Sequence, residues 1–298
     1  MKYDFLDPDA LARLGAIPLE ARHAMTGNVT GRHRSPHRGS SVEFAEYRKY
    51  VPGDDTRRLD WKAYARSDRY YIKEFEADTN LRAYFVIDAS GSMNFSAAND
   101  PRIQFARKLA ATLSYLIINQ GDAAGLSICK EKIHVEVPPT RRPAHLNHMF
   151  ETLADTHPEG ETGLVEALHT IAEKITQRAL VIVLSDLFCD TDELTDALQH
   201  LRHRKHDIAV FHLLDRQEID FDFERPHRFV DMEDNSSVVA EPTLIAAEYR
   251  QAMQDFMELI QTKCHDVHAD YHLVTTDQDY EEVIYRFLTS RLPTKGSK

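Results

Sequence analysis

Apolar positions along this chain alternate between short unbroken runs and a stripe that recurs every three to four residues. Ala83, Tyr84, Phe85, Val86 and Ile87 form one unbroken run, which stops at Asp88 and opens into a loop of small residues. Ala106, Leu109, Ala110, Leu113, Leu116 and Ile117 then repeat at i, i+3, i+4, the spacing of an amphipathic helix over 103–119. AAGLSIC reads as a short strand, and alternating Ile133, Val135 and Val137 predict its hairpin partner at a sheet edge. Helices are expected over 145–154 and 164–175, separated by the polar loop HPEGETG. ALVIVLSD (179–186) is continuously apolar, as a central parallel strand covered on both faces should be. A helix over 192–203, a strand over 208–215, an irregular stretch over 216–240 and a long helix over 244–264 follow. DYHLVTT makes a last strand, and 280–292 a final helix. Strands alternating with helices of this length predict an α/β fold, a doubly wound, mostly parallel sheet with right-handed crossovers.

Ahead of this region the pattern changes. Residues 1–20 hold one short helix (Leu6, Leu11, Leu14), and 21–40 are rich in Gly, His and Arg without periodicity. Residues 1–40 therefore read as a flexible basic N-terminal segment. Over 41–78, Phe44, Tyr47, Tyr50, Trp61, Tyr64, Tyr70, Tyr71 and Phe75 crowd together among Arg57, Arg58, Lys62 and Arg66. This segment predicts a small aromatic and Arg-rich subdomain, with a VPGDD turn, a helix over 56–67 and a strand RYYIKEFE. Its rings read as a satellite core under snorkelling basic side chains, with a binding face as the alternative. The main domain is expected over 79–292, and 293–298 is a tail.

Composition narrows the function classes. A net charge of −12 over 298 residues argues against a general nucleic-acid binder. Arg22, Arg32, Arg34 and Arg38 stand in an acid-free stretch, so the remainder carries −16. Cys129, Cys189 and Cys264 are odd in number and far apart, which suits a reducing compartment rather than a disulfide framework. No apolar run approaches the ~20 residues of a membrane helix. The polar, acidic first ten residues do not resemble a signal peptide. The expectation is a cytoplasmic protein without a membrane span.

The chemistry gathers at the ends of strands. Asp88, Ser90 and Ser92 follow the first strand, Thr162 sits between Gly160 and Gly163 ahead of a helix, and Asp186 ends the continuously apolar strand. In open α/β sheets ligands bind in the crevice beyond the carboxyl ends of the strands. Two carboxylates and three hydroxyls could surround one point there. Such a hard oxygen set, too small for a calcium cage, suits Mg²⁺ with retained waters, and Mn²⁺ or Ca²⁺ could substitute.

DASGSM, with Thr162 in GETG and Asp186 in LSD, resembles the metal-ion-dependent adhesion site of von Willebrand factor type A domains over roughly residues 79–290. The upstream run, with Glu43, Phe44, Arg48, Tyr50, Gly53, Asp54, Asp55, Arg57, Asp60, Trp61 and Arg66, resembles the signature of the bacterial "domain of unknown function 58" proteins. The first resemblance implies that Ser90, Ser92 and Thr162 ligate a metal directly while Asp88 and Asp186 act partly through water. An open coordination position would then accept a partner's carboxylate. The second implies an adaptor associated with a MoxR-type AAA+ ATPase or its client. Many such proteins carry membrane helices ahead of this segment, so a soluble form is expected here. The upstream motif receives no role from either resemblance.

Other readings are weaker. An α/β-hydrolase nucleophile elbow needs glycine two residues either side of the serine, and Asp88 and Ser92 stand there. A metal-dependent phosphohydrolase, the alternative function, needs a base and a phosphate-binding Arg or Lys, and the site loops offer neither. No catalytic residue is therefore assigned and a non-enzymatic binding module is expected, with a structural domain bearing a vestigial site as a third reading. His200, His203 and His206, and Cys264 with His265 and His268, read as solvated surface rather than zinc ligands. Gly53–Asp55 reads as a turn and helix cap.

Overall fold

The computed structural model describes residues 3–20, 43–49, 61, 64, 70–76, 81–97, 100–223, 225–233 and 236–292. Contacts divide the chain into two units, Met1–Glu20 with Arg82–Lys298, and Ala21–Leu81.

In the smaller unit, β1 (Glu43–Lys49) pairs antiparallel with β2 (Tyr71–Glu76). The expected strand RYYIKEFE forms β2; β1 was not anticipated. A register shift between Phe44 and Glu46 breaks the two-residue alternation that would have marked it. Trp61 and Tyr64 are helical, Tyr64 stacks on Tyr70 at 4.5 Å, and Trp61 meets Tyr64 edge-on. The VPGDD turn, the other positions of the 56–67 helix and the basic stretch 21–40 lie outside the described residues.

In the larger unit, α1 (Pro8–Leu14) is followed by β3 (Arg82–Asp88), α2 (Arg102–Asn119), β4 (Ala123–Cys129), β5 (Ile133–Thr140), α3 (Pro143–Ala154) and α4 (Leu164–Lys174). Then come β6 (Leu180–Ser185), α5 (Thr191–His203), β7 (Asp207–Leu214), α6 (Arg216–Asp220), β8 (His227–Val230), β9 (Ser237–Ala240), α7 (Pro242–Asp266), β10 (Asp270–Thr275) and α8 (Tyr280–Ser290). Six strands form one sheet in the order β10-β7-β6-β3-β4-β5. All neighbours are parallel except β4 and β5, the expected edge hairpin. β4, β6 and β7 are buried at every position, because α1, α2, α3 and α8 pack on one face and α4, α5 and α7 on the other.

The chain leaves β3 toward β4 on one side and returns to β6 on the other. The β3–β6 boundary is therefore the topological switch point, where the crevice for a ligand opens.

Three expectations need correction. The stretch 216–240 is not irregular: Asp215 and Glu218 cap α6 reciprocally, and β8 and β9 form an antiparallel ribbon. Val238 and Val239 on that ribbon are exposed, so burial imposed no alternation on it. Residues 1–20 do not belong with the basic segment; Leu11 and Leu14 are buried and α1 packs on α2 and α8.

The third is His206, which is buried rather than solvated, with its Nδ1 accepting from the Ala179 backbone N–H at 3.2 Å. Burial, reinforced by Arg178 and Arg204, lowers its pKa from 6.5 to about 4. Between those values the unfolded chain takes up a proton that the folded chain refuses, so stability should fall as pH is lowered through that window. The expected loss from pH 7 to pH 5 is about 1–2 kcal/mol, read from urea melts, and His206→Gln should flatten the slope.

Candidate metal centre

Three loops meet at the switch point because their backbones are stitched together. Ala89 donates its N–H to the Cys129 carbonyl, Glu159 donates to the Ala89 carbonyl, and Gly91 donates to the Gly160 carbonyl. Gly163 donates to the Lys130 carbonyl at 2.6 Å. A Cβ at Gly163 would lie 2.1 Å from the Glu131 carbonyl oxygen, so only glycine lets the 157–163 loop come this close. Gly163→Ala should therefore cost about 1–3 kcal/mol in urea unfolding, by forcing the Thr162 loop away from β4.

That stitching brings the five expected residues together. Asp88 is buried; its Oδ1 accepts from the Ser90 backbone N–H at 2.9 Å. Its Oδ2 accepts from the Thr162 hydroxyl at 3.0 Å and from the Ser185 hydroxyl at 2.7 Å. Ser90 Oγ and Ser92 Oγ lie 3.1 Å apart. Asp186 is buried across from them, its Oδ1 accepting from the Phe188 N–H at 3.3 Å. The donor set fits a small hard cation: oxygen ligands at about 2.0–2.1 Å in an octahedron sit roughly 3 Å from their neighbours. That is the separation of the two serine hydroxyls.

The family model described as "Protein of unknown function DUF58" matches residues 46–259, which includes much of the aromatic segment and five of the six strands of the sheet, β10 lying beyond it. The chain belongs to this family. An uncharacterized protein of Mycobacterium tuberculosis is 26% identical over 298 residues, covering 98% of this chain and 92% of its own. Among solved structures, BatB from Bacteroides thetaiotaomicron matches with a TM-score of 0.50 and 13% identity, covering 71% of this chain and 98% of the solved chain. An aerotolerance-related membrane protein from Bacteroides fragilis matches with a TM-score of 0.51 and 13% identity, covering 71% and 100%. The larger unit of this DUF58 protein has a von Willebrand factor A-like fold. Among its described residues no helix is long and apolar enough to cross a membrane.

The electrostatics of this DUF58 site include residues that the sequence did not single out. Burial, and then the neighbouring Asp186 charge, push the Asp88 carboxyl above its ordinary range, against the pull of hydrogen bonds from Ser90 and Ser185. Arg102, buried at the start of α2, donates through Nη1 to Asp186 Oδ2 at 2.5 Å and to the Ser92 carbonyl at 3.1 Å. Its Nη2 forms an ion pair with Glu218, and its guanidinium lies 5.3 Å from the Phe95 ring centre and 5.5 Å from that of Phe188. Arg102 was not anticipated. The site loops contain no arginine, but a helix start supplies one.

Ser185 ends β6 immediately before Asp186, a position that marks it as a neighbour of the site. Glu218 and Glu233 left no comparable signal. Beside Thr162 a cleft of about 760 Å³ opens, with carboxylates of Glu131, Glu161, Glu166, Glu193 and Glu233 on its walls. Elsewhere, Cys264 is buried while His265 and His268 are exposed. Among the described residues no three His, Cys, Asp or Glu side chains converge to hold a metal by themselves.

Proposed function

We propose that this chain is a metal-dependent protein-binding module, working in the cytoplasm as an adaptor with a MoxR-type AAA+ ATPase. The observation that supports it most is the pair of serine hydroxyls held 3.1 Å apart beside two buried carboxylates. Ser90, Ser92 and Thr162 would hold Mg²⁺, or Mn²⁺ or Ca²⁺ in its place, with Asp88 and Asp186 acting partly through water. When bound, the cation would supply an open coordination position for a carboxylate from the partner. The chain's own residues do the rest. Asp88 fixes the Thr162 hydroxyl and the Ser90 backbone, while Arg102 offsets the charge on Asp186. The acidic cleft beside Thr162 favours a partner that surrounds its coordinating acid with Lys or Arg.

A metal-dependent hydrolase gains nothing from Arg102. Its guanidinium is buried and engaged by Asp186 and Glu218, so it does not face an incoming phosphate. Calorimetry of the full chain against a purified MoxR-type ATPase tests the proposal. Saturable binding in Mg²⁺ that disappears in EDTA is the expected result; equal affinity in both would overturn it.

A further inference from the structure

The β8–β9 connection lies directly against the first site loop. Gly91 approaches it so closely that a Cβ there would lie 2.1 Å from the Met232 carbonyl oxygen and 3.5 Å from the Glu233 Cα. The next side chain along, Glu233, hydrogen-bonds Ser92, one of the two paired hydroxyls. It also lines the cleft that opens beside Thr162. The connection is held in place by the Asp231 N–H, which donates to the Ser236 carbonyl at 2.8 Å, and by the Glu233 N–H, which donates to Asp231 Oδ1 at 2.7 Å.

Asp186 and Glu218 pair with the Arg102 guanidinium, and Glu233 adds a further carboxylate beside Ser92, on the wall of the cleft next to Thr162. A third carboxylate brought to a pair of buried ones raises the energy of the site unless a cation lies among them. Glu233 lies on neither a strand-end loop nor α6; it comes from the connection between β8 and β9.

We propose that Glu233 is an internal ligand of this site, a carboxylate of the chain's own that occupies the position a partner's Asp or Glu must take. This rests on the metal-dependent reading above. Glu233 strengthens cation binding in the free protein and competes with any incoming carboxylate. A partner therefore binds by exchange: its acid enters as the Glu233 side chain turns away toward the cleft beside Thr162, whose wall it already shares. Such a contact raises selectivity, because a weakly placed acid cannot displace one held at high effective concentration.

The test uses the full chain and Mn²⁺ as the probe. Calorimetry gives the affinity, and water-proton relaxation reports the exchangeable waters on bound Mn²⁺. Acetate, titrated into the Mn²⁺ complex, stands in for a partner's carboxylate. Glu233→Gln, which keeps the side chain's size and its place in the turn, should weaken Mn²⁺ binding by about tenfold or more. It should also add one exchangeable water, and acetate should then displace that water at a concentration roughly tenfold lower than in the wild type. If Glu233→Gln matches the wild type in affinity, water count and acetate response while Asp88→Ala abolishes Mn²⁺ binding, the internal ligand is overturned and the metal site stands. If the wild type binds no Mn²⁺, both readings fall together.

Discussion

Arg102→Met should destabilise the fold by about 3–5 kcal/mol, the largest effect expected of any single substitution at this site. Methionine keeps an apolar stem but loses the guanidinium that lies over the Phe95 and Phe188 rings and pairs with Asp186, so the loss is chiefly electrostatic. It strands Asp186, 1% exposed, next to Asp88, also 1% exposed, with nothing to balance the two charges. Adding Asp186→Asn should recover most of the loss, because it removes the stranded charge. Urea unfolding of the wild type, both single variants and the double variant measures the coupling. A cycle that closes additively would mean that the buried pair is not what holds α2 to the end of β6. The experiment is informative about function as well, since α2 begins ten residues after Ser92 and the same guanidinium holds the Ser92 carbonyl.

The second large effect is expected in binding. Asp88→Ala should weaken the complex with a MoxR-type ATPase by about 2–5 kcal/mol, which is roughly 30-fold or more in Kd. Removing Asp88 takes away the acceptor that holds Thr162 and Ser185, and one of two charges that would attract a cation. EDTA should produce a similar loss, and the two should not add, because both act through the same ion. Calorimetry with wild type and variant, each with and without EDTA, separates the cases. Tight binding indifferent to both would move the interaction to the aromatic segment, where Trp61 is 61% exposed. Asp88→Ala needs a folding control. Burial and the Asp186 charge oppose ionised Asp88, so losing it relieves repulsion even as it leaves two hydroxyls without their acceptor.

Most of the sheet was legible in the sequence. The runs at 83–87 and 179–186 became β3 and β6, and the stripe at 103–119 became α2, each within three residues of the expected bounds. Asp88, Ser90, Ser92 and Asp186 follow the ends of β3 and β6 as expected, whereas Thr162 reaches them from a loop between two helices, α3 and α4. What was missed shares a property. β1 carries a register shift, and the β8–β9 ribbon is mostly exposed, so neither shows the alternation that burial on one face imposes. His206 was assigned to the surface because it follows the end of α5 among charged neighbours. Only the turn that carries the chain into β7 puts its ring beneath the Ala179 amide.

The sequence by itself determined the α/β class, the mostly parallel order of strands and helices, the edge hairpin and the residues that gather at the switch point. These follow from local periodicity and from the rule that ligand crevices open beyond the carboxyl ends of the strands, and both can be read along the chain. Tertiary structure alone decided how the site is balanced. Arg102 meets a carboxylate 84 residues away, Ser185 reaches Asp88 across 97, and Glu233 arrives from a ribbon the pattern did not announce. The reason is physical. Periodicity records which face of an element is buried, whereas the pairing of a charge depends on where separate elements end in space, and Coulomb attraction between buried groups leaves no periodic mark on the chain.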